Sequence, residues 1–295
     1  MTPRAKRRAN QVAAPLTLTV AAVQMSSGTD KSGNIAAALE MVHAAADRGA
    51  TYVQVPEYFS FLSPPQALPA AAETVPGPTT TTMAEAARSR SITVHLGSLI
   101  ERADDPDKVF NTSVLIDPTG RIAATYRKTH LFDVDIPGAV AYHESDVIVP
   151  GEQLAVVDVG RVRVGLSICF DLRFPELYRA LAGAGAQVLA VPAAFNATTG
   201  RAHWEVLTRS RAIENHAFVV AAAQVGTTTE GIRTWGHSMI VDPWGEVMAE
   251  STTTGPDILV ATLEIDQVAR RRAQISVFDF RRPGLYGAPV HLAGA

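Results

Sequence analysis

From residue 16 onward, apolar runs rich in β-branched residues alternate with alanine-rich stretches of helical period. LTLTVAAVQM (16–25) predicts a strand, and NIAAALEMVHAAADRGA (34–50) an amphipathic helix closed by Gly49. TYVQVPE (51–57) predicts a second strand, TTTTMAEAARSRS (79–91) a helix, and SITVHLGSLIER (91–102) another strand. The alternation resumes with RVRVGLSI (161–168) as strand, PELYRALAGAGA (175–186) as helix and QVLAVPAAF (187–195) as strand. HWEVLTRSRAIENH (203–216) then predicts a helix and AFVVAAAQV (217–225) a strand. Two runs interrupt this rhythm. NTSVLIDPTGRIAATYRK (111–128) and HSMIVDPWGEVMAE (237–250) each place a DPxG turn between strand-like halves, which predicts hairpins.

Hairpins set inside a βα alternation imply an α/β fold with mixed sheets rather than a purely parallel one. No Ser/Gly-rich linker and no shift in composition divides the chain, so residues 16–295 read as one domain. The two DPxG turns show no wider self-similarity, and turn chemistry accounts for both.

With 47% apolar residues among 295, the chain can fill a sizeable core. Its single cysteine, Cys169, excludes an intramolecular disulfide and suits a reducing compartment, so a cytoplasmic location is expected. A formal charge of -3 points away from nucleic acid and anionic membranes as partners, and no window is apolar enough for a membrane span. Residues 1–15 carry Arg4, Lys6, Arg7 and Arg8 without an acid. A disordered basic tail fits them better than a twin-arginine or secretory signal, because the following segment alternates like a strand and offers no cleavage site. Eight histidines show no zinc spacing. His43 and His95 lie in apolar runs as core or edge residues, and GLSIC lacks the flanking glycines of a serine-hydrolase elbow.

Three strand-like runs end in a reactive side chain: Glu57 after Val55-Pro56, Lys128 after TYR, and Cys169 after GLSI. Strand ends are where α/β sheets present functional groups. Each residue alone has an ordinary structural role open to it, as helix-terminal acid, solvated strand end or core filler. Together they form a coherent set. A thiol needs a base or a positive field to become a nucleophile, a carboxylate can be the base, and a lysine can stabilise the oxyanion.

The segments PEYF, YRKTHLFDVDIPG and GLSICFDLRFPELYR resemble the Glu, Lys and Cys motifs of the nitrilase, or carbon–nitrogen hydrolase, superfamily. The likeness runs from about Leu16 to Tyr286, takes in PAAFNATTGRAHWEVLTRSRAIEN and GHSMIVDPWGEV, and is strongest to the Nit-type amidases. That resemblance implies a four-layer αββα sandwich with Glu57, Lys128 and Cys169 as the catalytic triad and Glu144 as a second glutamate. It also implies no metal, no cofactor, and homodimers or larger assemblies. Glu144 would support Lys128 or orient the substrate, with a surface loop acid as its other reading.

The implied reaction is hydrolysis of a primary amide through a thioester on Cys169, with ammonia released. Lys128 and the Phe170 N–H would hold the oxyanion. Arg173, four residues past the cysteine, would grip a substrate carboxylate, or else pair with Asp171 or Glu176. Phe195, Thr198 and Thr199 match a pocket-lining segment of the branch. True nitrilases carry Trp-Glu after the cysteine and carbamoyl-amine hydrolases an Asn-Asp-Arg-Arg-like run. Here Phe170-Asp171 follows, which favours amides. The expected substrate is a small amide bearing a carboxylate. Deaminated glutathione is the first candidate, and α-ketoglutaramate, the omega-amidase substrate, is the alternative. A catalytically idle binding or scaffold member is the reading from a different class.

Overall fold

A computed structural model describes residues 14–137 and 140–286. The basic tail expected at 1–15 lies outside these residues except for its last two positions. Sheet 1 has six strands in the order β16-β1-β2-β3-β4-β5. They are β1 (Thr17–Gln24), β2 (Tyr52–Gln54), β3 (Thr93–Arg102), β4 (Val109–Ile116), β5 (Ile122–Arg127) and β16 (Asp257–Glu264). Sheet 2 runs β15-β14-β11-β10-β9-β8. Its strands are β8 (Val156–Val159), β9 (Val162–Leu166), β10 (Val188–Ala190), β11 (Phe218–Ala221), β14 (Met239–Val241) and β15 (Val247–Glu250). Two small hairpins, β6 (Asp133–Ile136) with β7 (Val140–His143) and β12 (Val225–Thr227) with β13 (Arg233–Trp235), stand apart from both sheets. The helices are α1 (Lys31–Asp47), α2 (Leu68–Ala71), α3 (Pro78–Arg90), α4 (Pro175–Gly183), α5 (Ala197–Asn215), α6 (Asp266–Gln274) and α7 (Pro283–Tyr286).

Strand alternation explains the layering. Leu18, Val20 and Ala22 of β1 point into the core shared with sheet 2, while Ala21 and Val23 point the other way onto α1 and α3. On the far side of sheet 2, Leu177, Tyr178 and Leu181 of α4 and Trp204 and Ala212 of α5 close the same core. The result is the four-layer αββα sandwich, with both sheets buried on both faces. Burial on two faces is why the central strands read as continuous apolar runs. Among the described residues no helix is long and apolar enough to cross a membrane.

Each sheet has three parallel strands at its centre, β1-β2-β3 and β9-β10-β11, flanked by antiparallel ones. The two DPxG turns occupy equivalent places, each closing the outer hairpin of its sheet. Asp117 Oδ1 accepts from Thr119 N and Arg121 N, and Asp242 Oδ1 accepts from Trp244 N and Glu246 N. Gly120 and Gly245 take the positive φ that ends each turn, at 81° and 87°. The symmetry lives in sheet order and turn chemistry, and leaves no wider trace in residue identity. His95 is a satisfied core residue, as expected. It is fully buried against the Tyr52 hydroxyl at 2.8 Å, and burial pushes its imidazole down to about 3.

The first element that shapes the site is a bulge in β3 between Leu96 and Leu99. It brings Gly97 so close to the chain leaving β2 that a Cβ would overlap the carbonyl oxygens of Val55 and Pro56. The bulge also turns Ser98 Oγ to accept the Tyr58 N–H at 3.0 Å. Gly97→Ala must therefore push the segment bearing Glu57 away from the sheet. We expect a loss of about 1–3 kcal/mol in urea unfolding. Unchanged stability would mean that the segment yields freely.

Candidate active site

Pro56 has no N–H to continue the ladder, so the chain leaves sheet 1 after β2 and delivers Glu57 at the strand's C-terminal end. Tyr58 follows with φ at 55°, which turns the chain back across the site. Lys128 prolongs β5, its N–H donating to Asn111 O at 2.9 Å while its own carbonyl accepts from Gly151 N at 2.8 Å. Alternation puts Arg127 outside, paired with Glu101 at 2.7 Å, and Tyr126 and Lys128 inside. Cys169 comes three residues after β9 and opens a tight turn, Cys169–Arg173. Its φ is 48°, a left-handed conformation that costs an L-residue about 1 kcal/mol or more and needs support. The support is on both sides. Cys169 N donates to Pro192 O at 2.9 Å, and Ile168 N donates to Asp171 Oδ2 at 2.8 Å.

These three strand ends meet. Lys128 Nζ lies 3.0 Å from Glu57 Oε1 and 2.8 Å from Glu144 Oε2, with Glu57 and Lys128 each 1% exposed and Glu144 2%. So deep an ion cluster is tolerable only when the remaining lone pairs are met. They are. Glu57 Oε1 also accepts from Asn111 Nδ2 at 2.9 Å, and its Oε2 from Ala194 N at 2.7 Å. Glu144 accepts from Phe132 N at 2.7 Å and from the Tyr58 hydroxyl at 3.0 Å. The surface-acid reading of Glu144 does not hold, because both its oxygens are engaged inside the protein.

The charges follow from this packing. Burial alone would lower the Lys128 ammonium, but Glu144 and Glu57 hold it well above its ordinary value. Burial raises the Glu144 carboxyl, against the pull of Lys128. For Cys169, burial and the adjacent Glu57 carboxylate push the thiol well up, and Lys128 offsets only part of this. Burial and Glu57 therefore favour the protonated thiol over a preformed thiolate at Cys169.

Asp171 ties two of the strand ends together. Fully buried, it accepts from Tyr126 Oη at 2.7 Å, from His130 N at 3.1 Å and from Ile168 N. It thus joins the strand carrying Lys128 to the turn carrying Cys169. It is not paired with Arg173, and neither is Glu176; among the described residues Arg173 makes no ion pair. The Arg173 guanidinium instead donates to His203 Nδ1 at 3.2 Å and lies 5.1 Å from the Phe195 ring centroid and 5.7 Å from that of Phe170.

Glu57, Lys128, Glu144, Cys169, Phe170, Arg173, Phe195 and Thr199 all line one cavity. Thr198 does not. Helix α5 starts at Ala197, earlier than the apolar period suggested, because the Asn196 side chain caps it by accepting from Thr198 N at 2.9 Å. That first turn sends Thr198 into an adjoining groove. Sequence reasoning missed Tyr58, Phe132, Tyr142 and Ile232 as cavity walls, and Asn111 as a partner of Glu57. Tyr58 and Phe132 lie within the quoted motifs PEYF and YRKTHLFDVDIPG and were within reach. Asn111 and the Ala194 amide carry no sequence signal. Among the described residues no group of three or more His, Cys, Asp or Glu is arranged to hold a metal.

Because Cys169 is the only cysteine, its ionisation can be read directly. Between about pH 6 and 9, where an ordinary thiol ionises, the ultraviolet thiolate signal of the protein should match that of Cys169→Ala. A distinct step in that window would show that burial and Glu57 do not hold the proton.

Comparison with known proteins places this geometry. The carbon-nitrogen hydrolase family model matches residues 19–273. A deaminated glutathione amidase from Bos taurus is 41% identical over 277 residues, covering 92% of this chain and 84% of that protein. An omega-amidase from Homo sapiens is 39% identical over 271 residues, covering 92% and 97%. The crystal structure of the C. elegans NitFhit protein superposes with a TM-score of 0.86 at 38% identity, over 92% of this chain and 67% of that one. With its αββα sandwich and these relatives, the chain belongs to the carbon–nitrogen hydrolase family, in the Nit-type amidase branch of the nitrilase superfamily.

Proposed function

We propose that the protein hydrolyses the amide of a small acyl group bearing a carboxylate, with Cys169 as nucleophile, Glu57 as general base and acid, and Lys128 as oxyanion stabiliser. The observation that carries this reading is the buried contact of Glu57, Lys128 and Cys169 on the wall of one cavity. As the sulfur attacks the carbonyl carbon, Glu57 takes the thiol proton, so charge appears only in the transition state. The oxyanion forms beside Lys128 and the Phe170 N–H. The Cys169 N–H is spent on Pro192, and among the described residues the Phe170 N–H donates to no protein acceptor. Glu57 then passes its proton to the departing nitrogen, the C–N bond breaks, and the acyl group remains as a thioester. A water deprotonated by Glu57 hydrolyses that thioester and frees the acid and the thiol. Glu144, held by Phe132 N and Tyr58, keeps Lys128 charged and aimed, which favours the supporting role over substrate orientation.

The two named relatives suggest one acyl group. Deaminated glutathione and α-ketoglutaramate both carry a 2-oxoglutaryl group and differ in what departs, cysteinylglycine in the first and ammonia in the second. Both are secondary-or-primary variants of the same amide, and the same proton transfer from Glu57 serves either nitrogen. Arg173, charged and without a carboxylate partner on the cavity wall, suits the acyl carboxylate. We take deaminated glutathione as the first substrate and α-ketoglutaramate as the second. A catalytically idle member is disfavoured by the complete hydrogen bonding of the charged cluster. We place the protein in the cytoplasm, where its lone thiol stays reduced. Val206 and Ile213, seven residues apart on one face of α5, are exposed apolar residues that we assign to contact with a second copy of the chain.

Formation of 2-oxoglutarate from either amide tests the reading. Cys169→Ser should lose nearly all turnover, and Glu57→Gln should lose roughly 10²–10⁴-fold in kcat. Near-normal rates in Cys169→Ser would overturn the mechanism. Equal product from Cys169→Ala would show that no hydrolysis occurs at this site. Sedimentation of Val206→Glu/Ile213→Glu should give a smaller species than the parent. The same mass for both would remove that face from any interface.

A further inference from the structure

The cavity around Cys169 does not end at its own wall. Tyr142, Asn196 and Ile232 line it on one side and, on the other, line a second depression. This outer groove runs over Gln66, Thr198 and Arg233. It is built on a fixed frame. Strand β13, which carries Arg233, is bonded to β12 and bridges Asn196 through Thr234, while Trp235 N donates to Phe195 O at 2.9 Å. The groove wall is therefore hydrogen-bonded onto the loop that lines the inner cavity.

The charges within it are uneven in availability. His143 is held by Asp135 at 3.0 Å, and Glu230 already accepts from the Thr229 hydroxyl at 2.7 Å and the Thr29 hydroxyl at 3.3 Å. Asp146 is exposed and accepts from Lys108 through its backbone carbonyl. Arg233 is exposed and, among the described residues, makes no ion pair. So the inner cavity and the outer groove each hold one arginine with no carboxylate of its own, Arg173 and Arg233.

We infer that the outer groove is the leaving-group subsite, and that Arg233 there binds the terminal carboxylate of a peptide-like amine attached to the scissile carbonyl. This rests on the proposed hydrolase reading and adds to it a preference for amides with an anionic group at both ends. The acyl carboxylate lies toward Arg173, and the departing dipeptide extends past Tyr142 and Ile232 onto Thr198 and Arg233. A primary amide fills only the inner cavity and leaves the groove to water.

The test compares three substrates: deaminated glutathione, its C-terminal carboxamide, and α-ketoglutaramate. In Arg233→Ala, the ratio of kcat/KM for deaminated glutathione to that for α-ketoglutaramate should fall about tenfold, as expected for one solvent-accessible charge-assisted hydrogen bond. The loss should sit mainly in KM. The carboxamide should show the same penalty with the parent enzyme and no further penalty with Arg233→Ala, and Arg233→Lys should recover part of the ratio. An unchanged ratio, or an equal loss on the carboxamide, overturns the assignment. A parent enzyme that cleaves α-ketoglutaramate but not deaminated glutathione also overturns it while leaving the hydrolase reading intact. A parent enzyme inactive on both amides fails the hydrolase reading itself.

Discussion

One buried ammonium sets the terms for everything around it. Lys128 Nζ has a carboxylate on either side, Glu57 and Glu144, and all three are almost fully buried. Removing such a cluster from solvent is expensive unless every lone pair is met. The surrounding chain is shaped to meet them, with the β3 bulge at Gly97, the left-handed turn at Tyr58, the Ala194 amide and the Asn111 side chain all converging on the carboxylates. Burial and the neighbouring Glu57 also push the Cys169 thiol well above its ordinary value, with Lys128 opposing in part.

Asp171 plays a second, quieter part. Its Oδ2 alone connects residues that belong to different sheets, Tyr126 on sheet 1 and Ile168 at the end of sheet 2. The distance between lysine and sulfur therefore depends on one carboxylate rather than on the packing of two layers alone. Aromatic contacts reinforce the arrangement. Phe170 meets Phe132 and Phe174 edge-on at 5.2 and 5.5 Å, which gives the cavity an apolar wall beside its charges.

Much of the architecture was legible because burial on two faces writes long apolar strands, and because glycine and proline punctuate them. The hairpins at Asp117 and Asp242 were visible from turn chemistry alone. The partnership of β1 with β16 was not, since DILVATLE offers no mark of where it will pair, and neither were the small hairpins at 133–143 and 225–235. In the site, reactive side chains at strand ends could be picked out one by one. Their convergence required the sheet order. What stayed hidden were contributions made by backbone, such as the amides of Ala194 and Phe132, and by a neutral residue such as Asn111. The early start of α5 was hidden for a related reason. A single Asn196 cap moved the helix boundary and sent Thr198 out of the cavity that the resemblance to the branch's pocket-lining segment implied for it.

The pairing of β16 with β1 joins residues 257–264 to residues 17–24, nearly the full length of the described chain apart. A contact so distant in sequence is slow to close, and during synthesis it must wait for the ribosome to release the last strand. Until then β1 is an open edge, and the neighbouring β2, which delivers Glu57, belongs to an unfinished sheet. The charged pocket is thus assembled late, after sheet 2 has all its strands. Chains truncated before Asp257 would carry the thiol, the lysine and both glutamates, yet expose the edge on which their burial depends.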